Sequence, residues 1–187
     1  MPRHGLDTSA VVDAAAALAD AEGLEAVTLA RLAAQLGVRA PSLYSHVDGL
    51  DDLRRRLATR GARQLAGELQ AAAAGRARGD ALAAIADAYR SYARRHPGTY
   101  AALQRAADVY GPDAAAAASV VDVVVAALRG YGLEGEQAIH AVRIVRAALH
   151  GFVALENDGG FGLPLSRDES FRRLVAVLDR GLADPRA

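Results

Sequence analysis

The chain has 187 residues, no cysteine and no lysine, and its 22 arginines balance 22 acidic residues to a formal net charge of zero. The missing thiols exclude disulfides, thiolate catalysis and cysteine-ligated zinc, and the missing lysine excludes a Schiff base or a serine–lysine dyad. No HExxH, G-x-S-x-G or P-loop pattern occurs, and neutrality removes a global attraction to nucleic acid or membrane while leaving a local one open.

Apolar residues recur at spacings of three and four almost throughout, which is the helical period, and nothing reads as a sheet of several strands. A first helix is expected from Thr8 or Ser9, either able to cap it, to Glu22, with Val11, Ala14, Ala15, Leu18 and Ala21 inward. Gly23 and Leu24 stop it. Thr28 caps a second helix, and Leu29, Leu32, Ala33 and Leu36 line its inner face. Gly37 supplies the left-handed backbone that ends that helix. Pro41 sits where a third, short helix begins, its fixed φ already helical. That helix runs to Val47; Leu43 and Val47, four apart, point to the core, and Ser42, Tyr44, Ser45 and His46 point outward. A short helix with small and hydrogen-bonding residues outside and two anchors inside suits a DNA major groove.

Asp48 and Gly49 make a break, and Asp51 and Asp52 then complement the dipole of a fourth helix that continues through Leu53, Leu57, Leu65 and Leu69 to about Ala74. After a turn at Gly75 to Gly79, a helix spans about Asp80 to His96 and stops at Pro97-Gly98; a short one follows, about Thr99 to Ala107. Gly111-Pro112 opens a helix of about Asp113 to Arg129 that is apolar nearly all round and is therefore expected to be the buried central helix. A turn at Gly130 to Gly135 leads to the next helix, about Glu136 to Glu156. Its polar side carries His140, Arg143, Arg146 and His150, and its broad apolar side Ile144, Val145, Ala148, Leu149, Phe152 and Leu155. The last helix, about Asp168 to Leu182, carries Phe171, Leu174, Val175 and Leu178. Asp13 and Asp20 rule out an export signal at the first helix. The apolar run from Ala114 to Leu128 contains Asp122 and is shorter than the roughly 20 residues of a membrane span. A soluble, cytoplasmic chain without a membrane partner is expected.

Thr8 to about Leu53 resembles the DNA-binding domain of the tetracycline-repressor (TetR) family of bacterial regulators. The matching residues are the first-helix pattern ending in Glu22-Gly23, then Val27 to Ala33, Leu36-Gly37-Val38, and Pro41-Ser42-Leu43-Tyr44-Ser45-His46-Val47. Arg95-His96-Pro97-Gly98-Thr99-Tyr100 through Leu103, His150-Gly151-Phe152 through Glu156, Gly159-Gly160-Phe161-Gly162 and Ser170-Phe171 resemble one C-terminal subfamily of these regulators. The resemblance implies an all-α homodimer of about nine helices per subunit. Residues 1–48 would be a three-helix helix-turn-helix domain, and 49–187 a helical effector-binding and dimerisation domain with the fourth helix as connector. The last two helices of each subunit would pair in a four-helix interface.

On that pattern the third helix lies in the major groove of a palindromic operator in double-stranded DNA. Tyr44 packs on and hydrogen-bonds the sugar-phosphate backbone, and His46 does the same or touches a base edge. Pro41 and Ala40 offer apolar contact to a thymine methyl; Ser42 and Arg39 are further readers, arginine the better for guanine. Thr28 and the start of the second helix hold a phosphate. One short recognition helix touches few bases, so two of them about 34–36 Å apart are needed. A small apolar or aromatic effector is expected among Tyr89, Tyr92, Tyr100, Leu103, Tyr110, Tyr131, His140 and Phe152. No catalytic residue, metal or cofactor is expected.

Plainer roles compete: Tyr44 as a half-buried packing residue, His46 as a solvated one, and the pocket set as ordinary core. Two departures bear on the DNA reading. The family often places a phosphate-gripping lysine shortly after the recognition helix, where this chain has Leu50 beside Asp48, Asp51 and Asp52. Residues 1–56 hold six arginines against eight carboxylates, and Arg54, Arg55 and Arg56 read as a solvated helix face. The leading expectation is a repressor released from its operator by a small molecule; the alternative is a helical interaction or ligand-binding module with weak or lost DNA binding.

Overall fold

The computed structural model describes residues 6–105 and 114–184. Among these the regular structure is eight α-helices and three 3-10 segments, with no strand, as the apolar period predicts. The helices are α1 (Thr8–Glu22), α2 (Leu29–Leu36), α3 (Leu50–Ala73), α4 (Arg78–Arg95), α5 (Pro97–Arg105), α6 (Ala114–Leu128), α7 (Gly135–Asn157) and α8 (Arg167–Ala183). The 3-10 segments are Leu24–Ala26, Ala40–Ser45 and Arg129–Tyr131. The chain divides into two compact units, Met1–Gln64 with Arg95–Ala117 and Leu65–Arg94 with Ala118–Ala187. Unit 1 thus runs past residue 48 and takes in α5.

In unit 1, α1 is capped by Asp7, whose carboxylate accepts the Ala10 N–H at 2.7 Å, rather than by Thr8 or Ser9. Ser9 instead donates its hydroxyl to that carboxylate. α2 begins at the Thr28 cap, where the hydroxyl oxygen accepts the Arg31 N–H at 3.2 Å, and ends on Gly37 in the left-handed region (φ 67°, ψ 28°). Leu32, Leu43, Leu53 and Leu57 are fully enclosed among Val11, Ala15, Val27 and Val47. Each such leucine contributes about 1.5–3 kcal/mol of apolar burial.

α5 starts at Pro97, the residue expected to end the preceding helix, and it meets α1 backbone to backbone. A Cβ added to Gly98 would lie 2.0 Å from the Ala19 carbonyl oxygen. Beside that contact the Asp20 carboxylate accepts the Thr99 N–H at 2.7 Å and lies 2.9 Å from His96 Nδ1. Asp20 therefore satisfies one of the donors that a helix start leaves unpaired.

In unit 2 the buried Arg90 of α4 joins α7 and α8. It donates to both Glu156 oxygens at 2.8 and 2.5 Å, pairs with Asp168 at 2.8 Å, and lies over the Phe171 ring, 4.8 Å from its centroid. The bond from Arg90 outweighs burial and holds the Glu156 carboxyl below its ordinary range. α6 departs from expectation. It is not a buried central helix: of its residues only Ala116 and Leu128 are buried. The stripe Val121, Val124, Val125 and Leu128 packs toward Ala141, Val142 and Leu182, Val120, Val123 and Ala127 are half-buried, and Ala115, Ala117, Ala118, Asp122 and Ala126 are exposed.

Gly98→Ala is expected to destabilise the protein by about 2–3 kcal/mol through overpacking, seen as a fall in Tm of roughly 5–10 °C. Gly67→Ala, in α3 with nothing within 4 Å of the added methyl, is the control and should stabilise slightly. Because the folded Glu156 value is lowered, its contribution is full above the unfolded carboxyl value of about 4.3 and is lost as pH falls through the folded value. Urea midpoints measured from pH 7 to pH 3 should therefore show Glu156→Gln weaker by about 3 kcal/mol at neutrality, with a smaller further fall in acid than the parent.

Candidate nucleic-acid interface and effector region

The segment after α2 is wound more tightly than the α-helix expected from Pro41 to Val47: it is a 3-10 run over Ala40–Ser45, with Pro41 in its first turn. Its bonds are of the i to i+3 kind, Ser42 N–H to Arg39 carbonyl and His46 N–H to Leu43 carbonyl, each at 2.9 Å. Leu43 and Val47 are 0% and 2% exposed, as their spacing predicts, whereas Tyr44 is 60% exposed. Arg39, Pro41, Ser42 and Ser45 are also exposed; Ala40, His46 and Thr28 are half-buried. Ser45 turns its hydroxyl back to the Ser42 carbonyl at 2.7 Å, which leaves Ser42 and Tyr44 as the outward hydroxyls. Thr8 donates to the His46 carbonyl at 3.3 Å and ties the end of the segment to the start of α1.

The turn into α3 is held by Asp52, which sequence analysis placed only as a helix-dipole charge. Its side chain is 6% exposed; it accepts the Asp48 N–H at 3.0 Å and the Arg56 Nε–H at 2.7 Å, and it pairs with Arg55. Burial alone would raise its carboxyl; the Arg56 bond, the Asp48 N–H and both guanidinium charges outweigh that and hold it below the ordinary range. Arg55 and Arg56 are thus paired rather than merely solvated, and Arg54 lies 3.5 Å from Glu25. The legible signal was acid at i with arginine at i+3 and i+4.

The residues expected to form an effector pocket are divided between the two units. Tyr100, buried, and Leu103, half-buried, belong to unit 1. Tyr89, Tyr92 and Phe152 are buried side chains of unit 2, Phe152 stacking against Phe161 and Phe171 with centroids 4.8 and 5.0 Å away. Tyr131 donates its hydroxyl to Asp179 at 2.5 Å, and burial followed by that bond raises its phenol. His140 is exposed on an open groove of about 1100 Å³ lined also by Val125, Arg129, Leu133, Ile139 and Arg143. Tyr110 lies outside the described residues.

Comparison with known proteins gives a consistent result. The family model "Bacterial regulatory proteins, tetR family" matches residues 11–57, and the model "Tetracyclin repressor-like, C-terminal domain" matches 82–178. An HTH-type transcriptional regulator of Mycobacterium tuberculosis is 42% identical over 180 residues, covering 95% of this chain and 82% of that one. A solved protein of Rhodococcus sp. RHA1 shares the fold with a TM-score of 0.80 at 23% identity, covering 97% of this chain and 98% of its own. A tetracycline-repressor variant of Acinetobacter baumannii, solved in complex with minocycline, superposes with a TM-score of 0.70 at 21% identity over 94% and 96%.

Proposed function

The chain is a DNA-binding transcriptional regulator of the tetR family, and from that premise we propose that it is a homodimeric, non-enzymatic, cytoplasmic repressor released from a palindromic operator by a small molecule. The observation that carries the DNA-binding assignment is the recognition segment. Leu43 and Val47 anchor it, and Arg39, Ala40, Pro41, Ser42, Tyr44 and His46 present a compact surface of hydroxyls, the Tyr44 and His46 rings and one guanidinium to the groove. Thr28 supports it from the start of α2: its oxygen serves the Arg31 N–H, and its O–H remains for a phosphate.

The dimer surface follows from two stripes. On α7, Ile144, Ala148, Gly151 and Leu155 fall at steps of four, three and four residues, and Ile144 and Leu155 are 57% and 51% exposed. On α8, Ser170, Leu174, Val177 and Gly181 repeat the same steps, with Val177 55% exposed. Both stripes lie away from the faces that bury Val145, Leu149 and Phe152 in α7 and Phe171, Val175 and Leu178 in α8. Small and apolar side chains at this spacing pack helix against helix, and a symmetric pair of two such helices makes a four-helix interface. The apolarity of α6 and α7, each long and apolar enough by length and composition to cross a bilayer with the flanking turn included, is assigned to protein contacts because α7 also carries Arg143, Arg146 and Glu156. An effector in the middle helices, apolar or aromatic, is supported by the buried Tyr89, Tyr92 and Phe152 and by the minocycline held by the Acinetobacter relative.

A mobility-shift assay with duplex DNA flanking the protein's own gene, at low salt, is expected to give one retarded band. Tyr44→Phe and His46→Ala should each weaken it several-fold, in line with about 0.5–1.5 kcal/mol per hydrogen bond, without changing Tm. Val177→Arg should sediment near the 19.4 kDa of a single chain and give no band. Unretarded DNA with the parent protein would instead support a module that has lost DNA binding.

A further inference from the structure

A DNA-binding face normally offers unpaired cations to phosphate, and this one is short of them. Five arginines lie between residues 6 and 56: Arg31, Arg39, Arg54, Arg55 and Arg56. Arg31 pairs with Glu22 at 2.5 Å, Arg54 with Glu25 at 3.5 Å, Arg56 with Asp52 at 2.7 Å, and Arg55 with Asp52 also. Beyond them Arg60 pairs with Asp13 at 2.7 Å, and Arg105 with Glu25. Arg39 alone, among the described residues 6–56, has a guanidinium without a carboxylate partner. It is exposed, and its backbone opens the recognition segment in extended geometry (φ −81°, ψ 143°). Arg63, in α3, has no ion pair among the described residues either, and it lies thirteen residues after Leu50, roughly 20 Å along the helix axis.

The paired arginines contribute little to phosphate binding on balance. A guanidinium moved from Glu22 to a phosphate leaves that carboxylate unpaired beside a polyanion, Glu25 is shared by Arg54 and Arg105, and with eight carboxylates against six arginines over residues 1–56 the net charge delivered to the DNA is small. Arg55 and Arg56 would have to leave a carboxylate that is 6% exposed and also holds the Asp48 N–H. An arginine free to orient at the entrance of a recognition segment meets the fork of acceptors, O6 and N7, that guanine shows in the major groove.

We propose that Arg39 is the specificity-determining residue of this interface and reads one guanine in each operator half-site, while the neighbouring arginines neutralise the protein's own carboxylates. The inference rests on the DNA-binding assignment above. Two consequences separate Arg39 from a general phosphate contact. First, the dependence of binding on salt is shallow, well short of the log–log slope of about −5 to −9 that six to ten phosphate contacts give. Second, charge alone does not replace the fork: lysine keeps the positive charge and loses the bidentate geometry.

The test selects bound duplexes from a random-sequence pool with the full-length parent, Arg39→Ala and Arg39→Lys, and sequences them; melting curves confirm that all three fold. The parent is expected to enrich a palindrome with one strongly preferred guanine in each half. Both variants should retain the rest of the palindrome; Arg39→Ala should lose that guanine preference, a fall of roughly five- to a hundredfold at the position, the equivalent of about 1–3 kcal/mol, and Arg39→Lys should keep it in weakened form. The parent and Arg39→Lys should share a shallow salt slope. A palindrome unchanged in Arg39→Ala, or a guanine preference as strong in Arg39→Lys as in the parent, overturns the assignment while leaving the DNA-binding role intact. Failure of the parent to enrich any palindrome overturns both.

Discussion

Two side chains four residues apart, Leu43 and Val47, govern what this protein can present to DNA. The segment they anchor has six residues in 3-10 geometry, too few for helix propensity to hold it in water. Its conformation comes from packing instead. Leu43 and Val47 enter the same core as Leu32, Leu53 and Leu57, so the segment is fixed on both sides, by α2 before it and α3 after it. Gly37 makes the reversal that brings it there, and the Thr8 and Asp52 hydrogen bonds close its far end. With these points fixed, Tyr44 has one direction available, outward. A rigid short segment suits recognition because little side-chain or backbone freedom remains to be lost when DNA binds.

The charges around that segment follow a different logic from its packing. Surface ion pairs such as Arg31–Glu22 add little to stability, about 0–1 kcal/mol, so the abundance of arginine–carboxylate pairs in unit 1 is poorly explained as a stabilising device. Their larger effect is on what is left over. Each pair removes a cation from general attraction to phosphate, and non-specific affinity falls with every one removed. On the proposed interface what remains is contact chemistry: the Tyr44 and His46 rings, small hydroxyls, proline, alanine and one guanidinium. Such a face trades strength on arbitrary DNA for discrimination between sequences, and specificity is set by that difference.

Helical periodicity and turn residues made the element order legible, because each core face carries its own three-four pattern and the stops at Gly23 and Gly37 both adopt positive φ. Leu43 and Val47 were legible for the same reason. Periodicity records which residues are apolar, however, and says nothing of which apolar surfaces find partners. α6 shows the gap. Alanine and valine on every side read as full burial, yet of the residues of this helix only Ala116 and Leu128 are buried. The helix type at Ala40–Ser45 was hidden because six residues with a proline satisfy either period. The cap at Asp7 was hidden among Asp7, Thr8 and Ser9, three residues that all cap well. The roles of Asp20 and Arg90 depend on partners 79 and 66 residues away, which no local pattern encodes.

Unit 2 sets a physical condition on any effector. Tyr89, Tyr92 and Phe152 are close-packed, and Arg90 binds α4 to α7 and α8 through two carboxylates and two rings. A ligand among these side chains must displace packed groups, so it binds a conformer in which they have already separated. The weaker that conformer's population, the weaker the apparent affinity, by the same factor. A ligand that accepts this loss gains control in return, since its binding energy is then tied to one conformer and shifts the equilibrium toward it. Arg90 makes the alternatives discrete: a buried guanidinium cannot drift from Glu156 without another partner, so α7 and α8 move with α4 or the charge is stranded. An all-or-none change of this kind is what a regulator needs to convert the presence of a small molecule into the loss of a recognition geometry.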